Sequence, residues 1–82
     1  MNHRQVLFRL RFRRNGQPQV TQKQIDNIFG PGYSLVIDRV ARARGQQPET
    51  HILYLKIPKT VAAAAVASKL ETLAGVDEVR LR

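Results

Sequence analysis

The sequence contains no cysteine, which excludes disulfide bonds, thiolate metal sites and thiol-based catalysis. It also has no apolar run near the roughly 20 residues that a membrane-spanning helix needs, and no N-terminal apolar segment of the kind found in signal peptides. A small secreted domain without disulfides would be unusual. We therefore expect one cytoplasmic domain over residues 1–82, with no transmembrane segment in this chain.

Patterns for catalysis and metal binding are scarce as well. His3 and His51 do not have a metal-ligand spacing, and we expect both at the surface, near strand ends. Asp77 and Glu78 are adjacent in a predicted strand, so they should point to opposite faces and not form a carboxylate pair. The glycines of segment 30–32 follow a helix, whereas a phosphate-binding loop opens one. These absences predict a protein that is not an enzyme and has neither cofactor nor metal.

Acidic residues are few: 6 Asp and Glu stand against 14 Lys and Arg, which gives a net charge of +8. Such a balance suits nucleic acid, an anionic membrane surface or an acidic partner. The basic residues are spread along the chain without a run of five or six like charges, so solubility alone explains them equally well.

What the sequence does contain is a strong strand pattern over residues 5–14. Read with a period of two, one face is apolar and the other is mainly cationic, as in a half-buried strand. The apolar face holds Val6, Phe8, Leu10 and Phe12, and the other face holds Leu7, Arg9, Arg11 and Arg13.

Further elements follow in order. Residues 15–18 form a turn, and Thr21 with Gln24 forms a capping box for a helix that begins at Gln22 and ends at Gly30. A second helix over residues 61–74 is expected between the caps Thr60 and Gly75. The remaining strands are predicted over residues 33–42, 51–57 and 76–82.

The second strand alternates imperfectly. Tyr33, Leu35 and Ile37 share one face, whereas Val36 and Val40 are expected on the other. This switch predicts a bulge or an edge position.

The element order is βαββαβ. Right-handed crossovers then place both helices on one face of a four-stranded antiparallel sheet with the order 4-1-3-2. We predict an α+β, ferredoxin-like sandwich. Its predicted core comprises Phe8, Leu10, Phe12, Ile25, Ile28, Leu53, Leu55, Val66, Leu70 and Val79.

The sheet face without helices is the predicted binding surface. A basic sheet with an aromatic residue is the means by which RNA-recognition modules bind single strands. This sequence lacks their second stacking aromatic residue and their glycine-aromatic run, so nucleic-acid binding is the alternative. The residues expected there are Arg9, Arg11, Arg13, Ile52, Tyr54, Lys56, Glu78, Arg80 and Arg82.

Self-association is the other interpretation of this face. Ile52 and Tyr54 would pack against a second copy in a weak homodimer, while Glu78 pairs with an arginine across strands. Alternatively, two copies would pair along the edge of the second strand, where backbone groups lack partners.

The closing segment, residues 70–79, has the sequence LETLAGVDEV. With this ending and the βαββαβ order, the chain resembles the ACT-like family of small regulatory domains. Within that family it is most similar to the C-terminal cytosolic domain of MgtC/SapB-type membrane proteins, which likewise opens with an arginine-rich apolar strand. In ACT domains a small ligand binds near the loop after the first strand, between two copies, and here the matching turn is Asn15-Gly16.

The resemblance implies a non-catalytic regulatory or interaction domain. The chain would then be the cytosolic part of a larger, magnesium-transport-associated membrane protein, at the cytosolic face of the inner membrane. Other domains of that parent protein would be its partners.

Overall fold

A computed structural model describes residues 2–14 and 18–82 of the chain. The elements are β1 (His3–Phe12), α1 (Gln22–Phe29), β2 (Ser34–Ala41), β3 (Thr50–Pro58), α2 (Ala63–Leu70) and β4 (Val76–Leu81). The strands form one antiparallel sheet in the order β2-β3-β1-β4, which is the predicted order 4-1-3-2 read from the opposite edge. The predicted α+β, ferredoxin-like class is confirmed.

One hydrophobic core joins both helices to a single face of the sheet. β1 and β3 pair so that Phe8 lies opposite Leu53. Ile25 of α1 and Val66 of α2 are buried in the same cluster as these strand residues. Both helices therefore cover the same sheet face, as the sequence predicts.

All the predicted core residues belong to this cluster or pack against it. Ile28 and Val79 are the two that are only partly buried. The cluster also includes four buried residues outside the predicted core, which are Val20, Ile57, Leu73 and Val76.

The start of α1 has the predicted capping box. The Thr21 hydroxyl accepts from the backbone N–H of Gln24 at 3.2 Å, and the Gln24 side chain accepts from the backbone N–H of Thr21 at 2.7 Å. Gly30, with φ of 82°, ends the helix as expected. Gln22 then ties α1 to β2, because its side chain donates to Tyr33 O at 2.7 Å and accepts from Leu35 N at 2.8 Å.

The second helix is shorter than predicted. It begins after Ala62, which makes no side-chain capping bond, so the prediction of Thr60 as the cap is wrong. Beyond Leu70 the chain makes tight turns with bonds of the i→i+3 type, one of them from Leu73 N to Leu70 O at 3.1 Å. These turns let Leu73 reach the core. Gly75, with φ of 82°, ends these turns, so it does not cap α2 as predicted.

Strand boundaries differ from the predicted ones by one or two residues. The ladder of β1 ends at Phe12, and the backbone N–H of Arg13 donates to Gly75 O at 2.7 Å instead. β3 continues through Pro58, opposite His3. Within the described ranges, no helix is long and apolar enough to cross a membrane.

β2 shows both of the features that its imperfect alternation predicts. It is an edge strand, and its register shifts between Ile37, which lies opposite Leu53, and Arg39, which lies opposite Ile52. Asp38 is the extra residue, so Asp38 and Arg39 together oppose Ile52, as in a β-bulge.

The bulge corrects the expected faces of β2. Val36 lies opposite Tyr54, on the side away from the helices, as expected. Val40 lies opposite His51 and is back on the helix side. The expectation that Val36 and Val40 share a face is therefore wrong, because the inserted residue reverses the alternation beyond it.

Candidate binding surface on the open sheet face

We call the sheet surface opposite the helices the open face. The β1–β3 register places Leu7 opposite Tyr54 and Arg9 opposite Ile52, so this face takes odd positions from β1 and even positions from β3. The neighbouring registers add residues from the two edge strands. The open face comprises Gln5, Leu7, Arg9, Arg11, Ser34, Val36, Asp38, Arg39, Ala41, Thr50, Ile52, Tyr54, Lys56, Asp77, Glu78 and Arg80.

Three apolar side chains form a line across its centre, which we call the apolar row. Leu7 of β1, Tyr54 of β3 and Val36 of β2 are direct register partners. Leu7 and Tyr54 are half-buried, whereas Val36 is 55% exposed. The row thus exposes an aromatic ring between two aliphatic groups, and neither α1 nor α2 covers it.

The adjacent line of register partners, which we call the arginine row, runs Arg80, Arg9, Ile52, Arg39. Arg80 and Arg9 lie near the Oε1 atom of Glu78, at 3.0 and 4.0 Å. Arg39 forms no ion pair with any residue that the structure describes. A cation with no ion-pair partner in the described part of the chain therefore lies beside the apolar row.

Two acidic groups of this surface lie at its β4 edge, and the third, Asp38, lies in the bulge of β2. Asp77 Oδ2 accepts from Arg11 Nη2 at 2.9 Å, and Glu78 Oε2 lies 3.8 Å from the same nitrogen. The expectation that these carboxylates point to opposite faces is wrong, because the register shift between Arg11 and Phe12 brings Asp77 round to Arg11. The predicted pairing of Glu78 with arginines across strands is confirmed. Exposed pairs of this kind contribute about 0–1 kcal/mol each.

Most of the predicted site residues meet on this surface. Arg13 lies just beyond the end of β1 and is exposed, while Asn15 and Gly16 lie outside the described residues. Those that the register brings together are Arg9, Arg11, Ile52, Tyr54, Lys56 and Arg80.

Sequence reasoning missed Arg39 as a member of this surface, and it did not include Val36 among the binding residues although it placed Val36 on this side of β2. Plain alternation puts residues three apart on opposite faces, whereas the bulge at Asp38 puts these two on the same face. The signal was the switch in the pattern of β2, which shows that a bulge is present without showing where.

Glu49 and His51 form a buried polar pair next to the core, at the beginning of β3. His51 Nε2 lies 2.9 Å from Glu49 Oε2, and the His51 ring packs on Phe12 with centroids 4.6 Å apart. His51 is only 6% exposed, so its predicted surface position is wrong. Like Leu53 and Leu55, His51 lies on the buried face of β3. Glu49 supplies the hydrogen-bond partner that a buried polar ring needs.

The hydrogen bond from His51 is the main cause that lowers the pKa of Glu49; burial acts against it, while the backbone of Ala43 and the Arg42 charge act with it. An ionised carboxylate only accepts, so His51 Nε2 donates. The opposite nitrogen, Nδ1, is buried and has no hydrogen-bond partner among the residues that the structure describes. Since both side chains are buried, we assign the pair to stability. In the described ranges, no three His, Asp or Glu side chains are grouped to hold a metal ion.

A cleft of about 190 Å³ lies on the helix side, between the end of α1 and α2. Phe29 and Tyr33 stack there with centroids 4.7 Å apart, and Lys69 Nζ lies 5.9 Å from the centroid of the Phe29 ring. An aromatic wall beside a cation suits a small anionic molecule. The lining residues are Phe29, Tyr33, Val61, Ala65, Val66 and Lys69.

Comparisons of the chain with protein-family models, curated proteins and solved structures find no match. The resemblance to ACT-like domains, and to the cytosolic domain of MgtC/SapB-type proteins, therefore stays a prediction.

Proposed function

We propose that this chain is a non-catalytic interaction domain that binds single-stranded nucleic acid on its open face. The observation that carries the proposal is the position of Tyr54, in the centre of the apolar row and one row away from Arg9 and Arg39. Base stacking on an aromatic ring contributes about 1–3 kcal/mol per base and accepts any base.

The spacing of the two rows fits this partner. Same-face residues on a strand are two positions apart, which is roughly 7 Å. A base stacked on Tyr54 would leave its phosphate within reach of the long Arg9 or Arg39 side chain. Leu7 and Val36 would then cover the flanks of the base.

Charge supports a polyanion over a neutral partner. The chain carries a net charge of +8, and two of the three acidic groups at the open face, Asp77 and Glu78, lie at its β4 edge beside Arg11. Towards β2 the surface holds Lys56 and Arg39 together with the third acidic group, Asp38, so its cations outnumber its carboxylates there. A single strand, whose bases are free to stack, suits a sheet surface better than a duplex, whose bases already stack on each other.

Fluorescence anisotropy with a labelled oligonucleotide of about 12 thymidines or uridines tests the proposal at about 50 and 200 mM salt. Neutralising three phosphates should weaken binding about 20-fold between these salts, from the single-strand slope of about −0.7 per phosphate. No binding at the lower salt, or binding that ignores salt, would contradict the proposal.

Matched variants locate the site. Tyr54→Ala should weaken binding about 5- to 150-fold, the range for loss of one stacked base, while Tyr54→Phe retains the ring and the affinity. Lys56→Ala and Lys23→Ala each remove one positive charge, one on the open face and one on exposed α1. Only Lys56→Ala should weaken binding. Equal losses would show that net charge drives association without this surface.

A small-molecule-responsive regulatory domain, as the ACT resemblance implies, is the second candidate. The observation that favours it is the cleft beside Phe29, Tyr33 and Lys69. A thermal-unfolding screen with free amino acids tests it, since a ligand at 100 times its Kd adds about 2.7 kcal/mol to the free energy of unfolding. Lys69→Ala should abolish that gain and Lys23→Ala should not. The magnesium-transport-associated parent protein rests on the resemblance alone.

A further inference from the structure

We propose that two copies of this chain pair through β2, in an antiparallel register that puts Asp38 of each copy opposite Arg39 of the other. The pairing joins the two sheets into one of eight strands. It goes beyond nucleic-acid binding and does not depend on it, because the strands pair through backbone groups along the outer edge of β2. Arg39 is the one charged residue that both proposals use.

The edge of β2 is open and apolar. Among the described residues β2 pairs only with β3, so the backbone groups along its other side lack strand partners. Most of the large hydrophobic residues that the structure exposes lie on this strand: Val36 is 55%, Ile37 39% and Val40 40% exposed. Ile37 and Val40 are on the helix side, where the short α1 leaves them uncovered.

The bulge gives β2 a face pattern that is the same read from either end. Asp38 and Arg39 together oppose Ile52, on the open side. Stepping outwards from them, Ile37 and Val40 lie on the helix side, and Val36 and Ala41 on the open side. A strand with this symmetry can pair with itself about a two-fold axis between Asp38 and Arg39 and match faces at each position.

In that register the chemistry matches as well as the faces. Each copy's Ile37 lies opposite the second copy's Val40, which brings two exposed aliphatic side chains together on each side of the axis. Asp38 lies opposite the second copy's Arg39, so each dimer gains two pairs of opposite charge. Neither side chain forms an ion pair with another described residue of its own chain.

Neighbouring registers fail. A shift by one residue puts the open-side Arg39 opposite Ile37, or Asp38 opposite Val40, which are helix-side residues. A shift by two towards the start of the strand keeps most faces matched but sets Ile37 against the charged Asp38 of the second copy. Among these registers, only the one about Asp38 and Arg39 satisfies both faces and charges.

The opposite edge of the sheet, β4, is the weaker candidate. Self-pairing about Val79 would set Glu78 against the second copy's Arg80, but Glu78 already contacts Arg80 of its own chain at 3.0 Å. The same pairing would set the exposed Leu81 against Asp77, a carboxylate bound to Arg11. Pairing through β4 would therefore exchange existing contacts, whereas pairing through β2 would add new ones.

Sedimentation equilibrium from about 10 to 500 µM tests the pairing, because a small interface of this kind has a Kd in the micromolar range. Asp38→Arg alone and Arg39→Asp alone each place like charges opposite one another twice, and each should raise the dimer Kd about tenfold or more. The double variant with both changes recreates opposite charges in the reverse order and should restore dimerisation. Far-UV circular dichroism of each variant checks that it is folded.

A monomeric wild-type chain at every concentration would overturn the proposal. So would a dimer that neither single reversal weakens, or a double variant that remains as weak as the single ones. These last two outcomes would place the interface elsewhere on the molecule.

Cross-linking gives a second readout that does not rely on charge variants. The chain has no cysteine, so a variant with Ile37→Cys and Val40→Cys should form a disulfide-linked dimer under mild oxidation. The two positions are roughly 10 Å apart along one strand, too far for a disulfide within a chain. Each single-cysteine variant is the control and should cross-link at least tenfold more slowly. Equal rates, or no cross-linked dimer, would contradict the register.

Discussion

At the scale of single residues, the contact between Glu49 and His51 links stability to pH. Because the hydrogen bond from His51 lowers the pKa of Glu49 in the folded chain, the ionised form stabilises the fold. That contribution is fully present above the unfolded-state pKa of about 4.3. It is lost as the pH falls from there through the lower, folded-state pKa.

Glu49→Gln should remove this dependence. Gln keeps an oxygen acceptor at 2.9 Å from His51 but no charge, so the free energy of unfolding at pH 7 should fall by about 1 kcal/mol. Urea unfolding at pH 7 and at pH 3 measures it. The difference between variant and wild type should shrink at pH 3, and a constant difference would contradict this role of the charge.

Leu10→Ala should be strongly destabilising. Leu10 is 0% exposed in the centre of the core, and such truncations cost about 2–5 kcal/mol. Leu81→Ala is the matched control, because Leu81 is 47% exposed and surface changes stay within about 0.5 kcal/mol. Thermal melts that shift equally for the two variants would contradict the assignment of β1 to the core.

Sequence alternation predicted the faces of Leu10 and Arg9 because period two is strict in β1. The same rule puts His51 on the buried face with Leu53. The surface position was predicted instead because polar residues are generally exposed. The missing information was the hydrogen-bond partner of the ring. Glu49, two positions away, offsets the cost of burying His51, and only the structure shows this hydrogen bond.

At the scale of elements, the two helices begin in different ways. α1 has a complete capping box at Thr21, whereas α2 begins after Ala62, which has extended backbone angles and no side-chain cap. Thr21→Ala should therefore lower the free energy of unfolding by about 0.5–2 kcal/mol, while Thr21→Ser should nearly preserve it. Chemical denaturation compares them, and equal stabilities would show that the box contributes nothing.

Ala62→Ser should act in the opposite direction. A hydroxyl at the N-cap position of α2 can accept from one of the unpaired N–H groups of the first turn, and we expect a gain of about 0.5–1 kcal/mol. Ala64→Ser, inside the same helix and exposed, is the control and should give no gain, since Ser has a lower helix propensity than Ala. A gain from both variants would rule out capping as its cause.

The capping box fixed the start of α1 from sequence because it is a local signal. The end of α2 was predicted too late, since alanines and Gly75 suggested a helix that continues to residue 74. Tertiary packing determines where α2 ends. The chain must bury Leu73 and Val76 together, and tight turns after Leu70 achieve this.

At the scale of the whole molecule, the central position of β1 follows from its long apolar pattern, so the strand order could be predicted. The binding partner of the open face could not be predicted, because a sequence with Arg9, Arg39 and Tyr54 fits several partners. Placing Arg39 beside Tyr54 requires the position of the bulge.

The net charge of +8 predicts that salt moves the two proposed associations in opposite directions. Two such chains repel over a Debye length of about 30 Å at 10 mM salt but about 8 Å at 150 mM. The dimer Kd should therefore fall severalfold over this range, while the Kd for the oligonucleotide rises. Sedimentation and anisotropy in the same buffers measure both, and a dimer that weakens with salt would contradict this balance.

The positions of the two tyrosines have an optical consequence. The chain has no tryptophan, so its near-ultraviolet emission comes from Tyr33 in the helix-side cleft and Tyr54 at the centre of the open face. A Tyr33→Phe variant emits from the open face alone, and Tyr54→Phe from the cleft alone. Quenching of one variant but not the other would therefore identify the occupied surface for any ligand, with no dye attached to the protein.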